Sequence, residues 1–276
     1  MKFIEKLKKA SSKNNSLLCV GLDTELEKIP KFLLGEKDPI FSFNQKIIDS
    51  TSDLVCAYKP NLAFYEAYGI KGLEALKKTC EYIPENIPII LDAKRGDIGN
   101  TSKMYAKAIF DEFKADGVTL NPYLGEDSLS HFLEYEDKCS FILCLTSNAG
   151  AKDFQLQNIE GKSLYKIVAE KVKSWNKKMN CGLVVGATYP EQLKEIREIA
   201  EEMPILIPGI GAQKGDVELT VKYGTDRNGE LAIINSSRGI IYASSEKDFA
   251  QSARDEAKKS RDLFNTYRKK VRISDP

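Results

Sequence analysis

The sequence holds one histidine, His131 in SLSHFLEYE, which leaves little room for imidazole acid–base chemistry; it reads as a surface or packing residue on a helix. There is no GxSxG elbow, no P-loop and no metal-ligand spacing, and these absences remove most hydrolase and kinase mechanisms. The six cysteines, at 19, 56, 80, 139, 144 and 181, form no CxxC pair and no Cys/His cluster. Several lie inside apolar runs, so they read as buried reduced thiols, not as a disulfide framework or a zinc site. No run approaches the roughly 18 apolar residues of a membrane span, and the basic start MKFIEKLKKASSKNNS lacks the apolar stretch of roughly 7–15 residues that a signal peptide needs. A cytoplasmic protein is expected. An excess of charge is missing as well: 41 Lys and Arg against 40 Asp and Glu leave +1, with no general pull toward nucleic acid or an anionic membrane. Any basic function has to be local.

What the sequence does have is a rhythm. Eight short apolar, β-rich runs recur: SLLCVGLD (16–23), LVCAYKPN (54–61), IPIILDAK (87–94), GVTLNPY (117–123), SFILCLTS (140–147), GLVVGAT (182–188), PILIPGI (204–210) and ELAIINSS (230–237). None alternates cleanly between apolar and polar, as expected for parallel strands covered on both faces. Between them lie helical spacings such as FYEAYGIKGLEALKKTCEYI, SLYKIVAEKVKSWNKKM and PEQLKEIREIA, and after the last comes DFAQSARDEAKKSRDLFNTYRKKV. Eight βα units over 276 residues predict an α/β fold of one domain, residues 1–276, closed as a (β/α)8 TIM barrel, a fold that takes roughly 250 residues. The main alternative, an open doubly wound sheet, usually carries GxGxxG after its first strand; here VGLD is followed by Thr24. GTDRNG (224–229) is the clearest flexible loop by its turn residues.

The ends of these strands are unusually polar: Asp23, Lys59 with Asn61, Asp92 with Lys94, Thr146 with Ser147, and Ser236 with Arg238. Active sites of such barrels occupy that rim. Asp92 and Lys94 stand two apart on a strand, so their side chains share a face; Asp97 lies past the strand end, where alternation fixes nothing. Opposite charges at about 4 Å interact by roughly 4 kcal/mol at an effective dielectric near 20, enough to hold both ionised. The competing reading of LDAKRGDIGN is a surface ion pair opening a helix at Gly99 and Asn100. A second constellation, PGIGAQ (208–213) and NSSRGI (235–240), falls after strands seven and eight, where barrels frequently bind phosphate. Gly209, Gly211 and Gly239 let the backbone approach closely, Gln213 can donate an amide N–H, and Arg238 offers a planar charged fork. The substrate is expected to carry a phosphate.

LDAKRGDI resembles the DxKxxDI signature of the orotidine 5'-phosphate decarboxylase family, and it occurs with VGLD, AYKPNLAFYEAYG, LTSNAG, VVGATYPEQL, PGIGAQ and NSSRGI in that family's order, from about residue 16 to about residue 243. The likeness is to the longer bacterial subgroup. It implies decarboxylation of orotidine 5'-phosphate to UMP, without metal or cofactor, as the last step of UMP synthesis. It further implies an alternating charge network of Lys59, Asp92, Lys94 and Asp97, with Lys94 protonating carbon 6 of the pyrimidine as CO2 leaves. Asp97, Ile98 and Thr101 would reach into a neighbouring subunit's site, making a homodimer necessary. Asp23, Lys59 and Asn61 would hold ribose hydroxyls, Thr146 and Ser147 the pyrimidine edge, and Gln213, Arg238 and Gly239 the phosphate. One local departure is KGD after PGIGAQ, where a second glycine is common. The nearest rivals are magnesium-dependent sugar-phosphate decarboxylases or aldol-type synthases on the same scaffold, which place a carboxylate where this chain has Lys59, and a non-catalytic nucleotide-binding barrel.

Overall fold

The computed structural model describes the backbone of residues 1–210 and 216–273, and the side chains of residues 1–210 and 216–271. Each of the eight apolar runs yields one strand: β1 (Leu18–Leu22), β2 (Ala57–Pro60), β3 (Ile90–Arg95), β4 (Gly117–Leu120), β5 (Cys139–Leu145), β6 (Cys181–Val185), β7 (Ile205–Ile207) and β8 (Ala232–Ser236). They pair in parallel in the order β2-β1-β8-β7-β6-β5-β4-β3. Between the two ends of that order, Tyr58 bridges Ile89 and Asn61 bridges Asp92, which draws the sheet into a ring. The expected (β/α)8 barrel is therefore the fold observed.

Two apolar layers flank the ring, which explains why the strands are apolar on both faces. Outside, the strands pack against the helices in one large buried cluster. Inside, Cys19, Ala57, Ile90, Phe141, Val184, Leu206 and Ile233 fill the lower barrel together with Phe3 and Leu7 from the helix Phe3–Lys13. That helix plugs the base: Phe3 meets Phe141 edge-on at 5.4 Å between centroids, and Lys6 Nζ lies 2.7 Å from Asp116 Oδ2. With the base closed by apolar packing, only the opposite mouth is free for chemistry. All six cysteines are free and buried. Among the described residues no helix is long and apolar enough to cross a membrane.

Two local features differ from the sequence reading. The helical pattern of 64–83 is broken into Leu62–Glu66 and Gly69–Tyr82. Gly69 takes a left-handed φ of +61°, and a Cβ on Gly72 would lie 1.9 Å from the Tyr65 carbonyl oxygen; the two glycines permit a turn that a 3.6-residue period does not reveal. GTDRNG, expected as a flexible loop, is a tied turn: the Asp226 carboxylate accepts from Asn228 N and Glu230 N at 3.1 and 2.7 Å. The long C-terminal helix Phe249–Ile273 covers the barrel wall, burying Phe249, Ala253, Ala257 and Phe264 and stacking Phe249 on Phe43 at 5.2 Å.

The lower core depends on missing side chains. A Cβ on Gly182 would lie 2.7 Å from two ring atoms of Phe141 and 2.8 Å from the backbone oxygen of Pro204. Gly182→Ala should therefore cost about 1–3 kcal/mol of unfolding free energy in urea denaturation, and unchanged stability would show that the ring has room to move.

Candidate active site

At the open mouth, strands β1, β2 and β3 deliver charges of alternating sign. Lys59 Nζ, on a side chain only 4% exposed, lies 3.9 Å from Asp23 Oδ1 and 3.2 Å from Asp92 Oδ2. Asp92 Oδ1 in turn accepts from Lys94 Nζ at 2.6 Å and from Thr119 Oγ1 at 2.8 Å. The row thus reads Asp23, Lys59, Asp92, Lys94. Burial disfavours the Lys59 charge, yet Asp23 and Asp92 outweigh it and hold its pKa above the ordinary lysine value. Burial likewise pushes the Asp92 carboxyl up, but Lys59 and Lys94, with hydrogen bonds from Lys94 and Thr119, outweigh it and keep it well below the usual carboxylate range.

Asp92 and Lys94 meet, but not because β3 alternates regularly. Its register against β4 runs Leu91 to Val118 and then Arg95 to Leu120, so four steps along β3 span two along β4. Within this bulge Lys94 takes a φ of +47°. A non-glycine residue in the left-handed region is costly and recurs at functional sites. The Lys94 side chain is 50% exposed, which places its ammonium at the edge of the cleft.

That cleft, about 420 Å³, is lined by Lys59, Asp92, Lys94 and Thr119 on one side and Thr146, Ser147, Asn148 and Gln155 on the other, over a floor of Leu143, Val184 and Leu206. A second hollow of about 440 Å³ shares Ser147 and Pro208 with it and continues past Asp23 to Gly209, Asn235, Ser237, Arg238 and Gly239 at the ends of β7 and β8. Charged groups at one end and an arginine with glycine backbone at the other suit an elongated anionic ligand.

Other residues singled out from the sequence stand apart. Asn61 Oδ1 caps the helix Leu62–Glu66, accepting from Ala63 N at 3.2 Å. Asp97 Oδ1 accepts from Ile98 N at 2.8 Å and makes no ion pair among the described residues; Ile98 is 61% exposed, and Thr101 is exposed on the following helix. Gln213, with Gly211 and the first two residues of KGD, lies outside the described residues. Sequence reasoning missed Thr119, Gln155 and Asn235. Gln155 clamps Thr146, accepting from its backbone N at 2.7 Å and donating to its hydroxyl at 2.9 Å. Asn235 is buried in β8 and lines the second hollow. None of the three was marked individually: Thr119 is one β-branched residue in the run GVTLNPY, and Asn235 opens the motif NSSRGI without standing out within it.

Comparison with known proteins settles the lineage. The sequence model of the orotidine 5'-phosphate decarboxylase / HUMPS family matches residues 16–253. The chain belongs to that family. Relatives in this orotidine 5'-phosphate decarboxylase / HUMPS group include the orotidine 5'-phosphate decarboxylase of Dehalococcoides mccartyi, 55% identical over 98% of this chain and all of the relative. That of Cupriavidus metallidurans is 48% identical over 97% of this chain and 99% of the relative. Among solved structures, the Leishmania donovani OMP decarboxylase superposes with a TM-score of 0.85 at 36% identity, covering 97% of this chain and 99% of that one. The chain spans 57% of the longer Leishmania donovani UMP synthase, with the same TM-score of 0.85 at 37% identity and 97% of this chain covered. A Methanocaldococcus jannaschii orotidine 5'-monophosphate decarboxylase, solved with the inhibitor BMP, gives 0.65 at 26% identity over 90% of this chain and 98% of that one.

The charge row has a pH signature. The Asp92 carboxyl is held below its unfolded value, so between the two values the unfolded chain binds more protons. The resulting stability is present above about pH 4 and is lost as pH falls through the folded value, whereas the Lys59 contribution is lost only in strong alkali, as pH rises past about 10.4. The stability of the protein relative to Asp92→Asn, measured by urea unfolding, should therefore shrink as pH is lowered from about 6 to about 3. A constant difference would show that the carboxyl is not depressed.

Proposed function

We propose that this chain decarboxylates orotidine 5'-phosphate to UMP and CO2, as the last step of UMP synthesis in the cytoplasm, working as one barrel domain over residues 1–276 without metal or cofactor. The observation that carries this reading is the row Asp23, Lys59, Asp92, Lys94 at the barrel mouth in a chain about half identical to orotidine 5'-phosphate decarboxylases. In this reading Arg238, Gly239 and Gln213 take the phosphate, Asp23, Lys59 and Asn61 the ribose hydroxyls, and Thr146 and Ser147 the pyrimidine edge.

The chemistry follows from fixed charge. The bond from carbon 6 to the carboxylate breaks, its electron pair stays on carbon 6, and the Lys94 ammonium gives that carbon a proton as CO2 leaves. Asp92 crowds the substrate carboxylate beforehand. A carbanion with little delocalisation demands a barrier reduction near the upper end of the roughly 8–23 kcal/mol that enzymes supply, and preorganised charges in a partly dry site are suited to it. Against the magnesium-dependent reading stands Lys59, whose ammonium occupies the space between the two carboxylates that a divalent cation would need.

The reading includes a homodimer with shared sites. Asp97 faces neither lysine of its own chain, and Ile98 and Thr101 project beside it. Met104, Tyr123 and Leu124, on the segments that follow β3 and β4, are exposed apolar residues as well, the kind of side chain that a surface covered by another copy would bury.

EDTA-treated protein given orotidine 5'-phosphate should show the ultraviolet change of orotate becoming uracil. Lys94→Ala should lose at least about 100-fold in kcat while still binding UMP. Silence from the wild-type dimer would overturn the reading and point to sugar phosphates with magnesium. For the shared site, a purified hybrid of a Lys94→Ala chain with an Asp97→Ala chain should recover roughly half the wild-type rate per dimer, since one of its two sites is then native. If Asp97 served its own chain, both hybrid sites would be defective and no activity would return.

A further inference from the structure

We propose that Thr119 is a positioning residue for the decarboxylation: its single hydroxyl fixes the bulge that aims Lys94 and clamps Asp92 against both lysines. The proposal rests on Lys94 being the proton donor.

Thr119 lies within β4, 1% exposed, at the wall of the cleft. Its Oγ1 accepts from Ala93 N and Lys94 N, both at 3.0 Å, and donates to Asp92 Oδ1 at 2.8 Å. A hydroxyl has two acceptor positions and one proton, so its bonding capacity is filled. With both acceptor positions taken by backbone N–H groups, the proton has one destination, the Asp92 carboxylate. In a regular strand, consecutive N–H groups point to opposite sides; here two of them converge on one oxygen because β3 bulges and Lys94 is left-handed. The hydroxyl stands in for the ladder partners that the bulge removes.

The consequence concerns the flexible end of the site. Half of the Lys94 side chain is in solvent, and among the described residues its ammonium is held only by its own backbone and by Asp92. Thr119 bonds to both. One oxygen therefore couples the strained backbone to the charge row, and misplacing a proton donor by about 1 Å can cost roughly 100-fold in rate.

Thr119→Val keeps the shape and strand preference and removes the hydroxyl; Thr119→Ser keeps the hydroxyl. Thr119→Val should lower kcat by about 10- to 100-fold with the Kd for UMP within about threefold of wild type, while Thr119→Ser stays within about threefold on both. A purely structural role would lower Tm and impair both variants according to packing, with no split between kcat and UMP binding. The proposal is overturned if Thr119→Val turns over at the wild-type rate, if Thr119→Ser is as slow as Thr119→Val, or if UMP binding falls as far as kcat. Should Thr119→Val fail to fold, Thr119→Cys carries the same expectation, since a thiol is a poor donor and acceptor. Wild type and Lys94→Ala run alongside: a silent wild type sinks the decarboxylase reading, whereas a dead Lys94→Ala beside an unimpaired Thr119→Val sinks the positioning role alone.

Discussion

A lysine ammonium removed from water has to find negative charge within a few ångströms, and Lys59 finds it on the two strands beside its own. The cost of desolvating one unpaired ion is several kcal/mol, so β1, β2 and β3 are constrained to end at one level, with Gly21 opposite Lys59 and Asn61 opposite Asp92. The contact between β2 and β3 is also the thinnest seam of the ring, paired through isolated bridges instead of a continuous ladder. The ion pair from Lys59 to Asp92 crosses that seam. The charge row at the mouth therefore also helps to close the barrel where its backbone pairing is weakest.

Below this level the same strands change character. Cys19 lies under the charge row, and burial pushes its thiol well above the ordinary value, so it remains neutral and leaves Asp23 and Asp92 as the partners of Lys59. Lower still, Phe141 fills the axis where Gly117 and Gly182 leave space for its ring, and Phe3 seals the base. A dry, close-packed floor keeps water from screening the charges from beneath, and screening from above is limited by the mouth alone.

The strands were legible because a doubly covered parallel sheet tolerates little polar content, so a run such as SFILCLTS announces both the strand and, in its last residues, the rim. The bulge was not legible. LDAKR reads as an ordinary strand, alternation brings Asp92 and Lys94 to one face, and the real route to that meeting, a left-handed Lys94, leaves no mark on composition. Thr119 was hidden for a related reason, since a β-branched residue is at home in any strand and only the convergence of two N–H groups reveals its use. Gln155 was out of reach altogether: it stands nine residues beyond Thr146, past the short helix Ala151–Phe154, and no periodicity links the two. The break at Gly69 was masked because the apolar pattern on either side continues in phase.

Within one scaffold, the sign of a single side chain on β2 decides which chemistry the rim can support. A carboxylate there, with Asp23 and Asp92, would make a three-oxygen cradle suited to a hard divalent cation. Lys59 places a positive charge in the same volume. Two unit charges at about 4 Å interact by roughly 4 kcal/mol at an effective dielectric near 20, and a divalent ion doubles that repulsion. The ammonium meanwhile neutralises part of the carboxylate charge that would attract the ion. Under the proposed decarboxylation, fixed ammonium groups would stabilise the developing carbanion, and the second lysine, Lys94, stands at the opposite oxygen of the carboxylate that Lys59 pairs with.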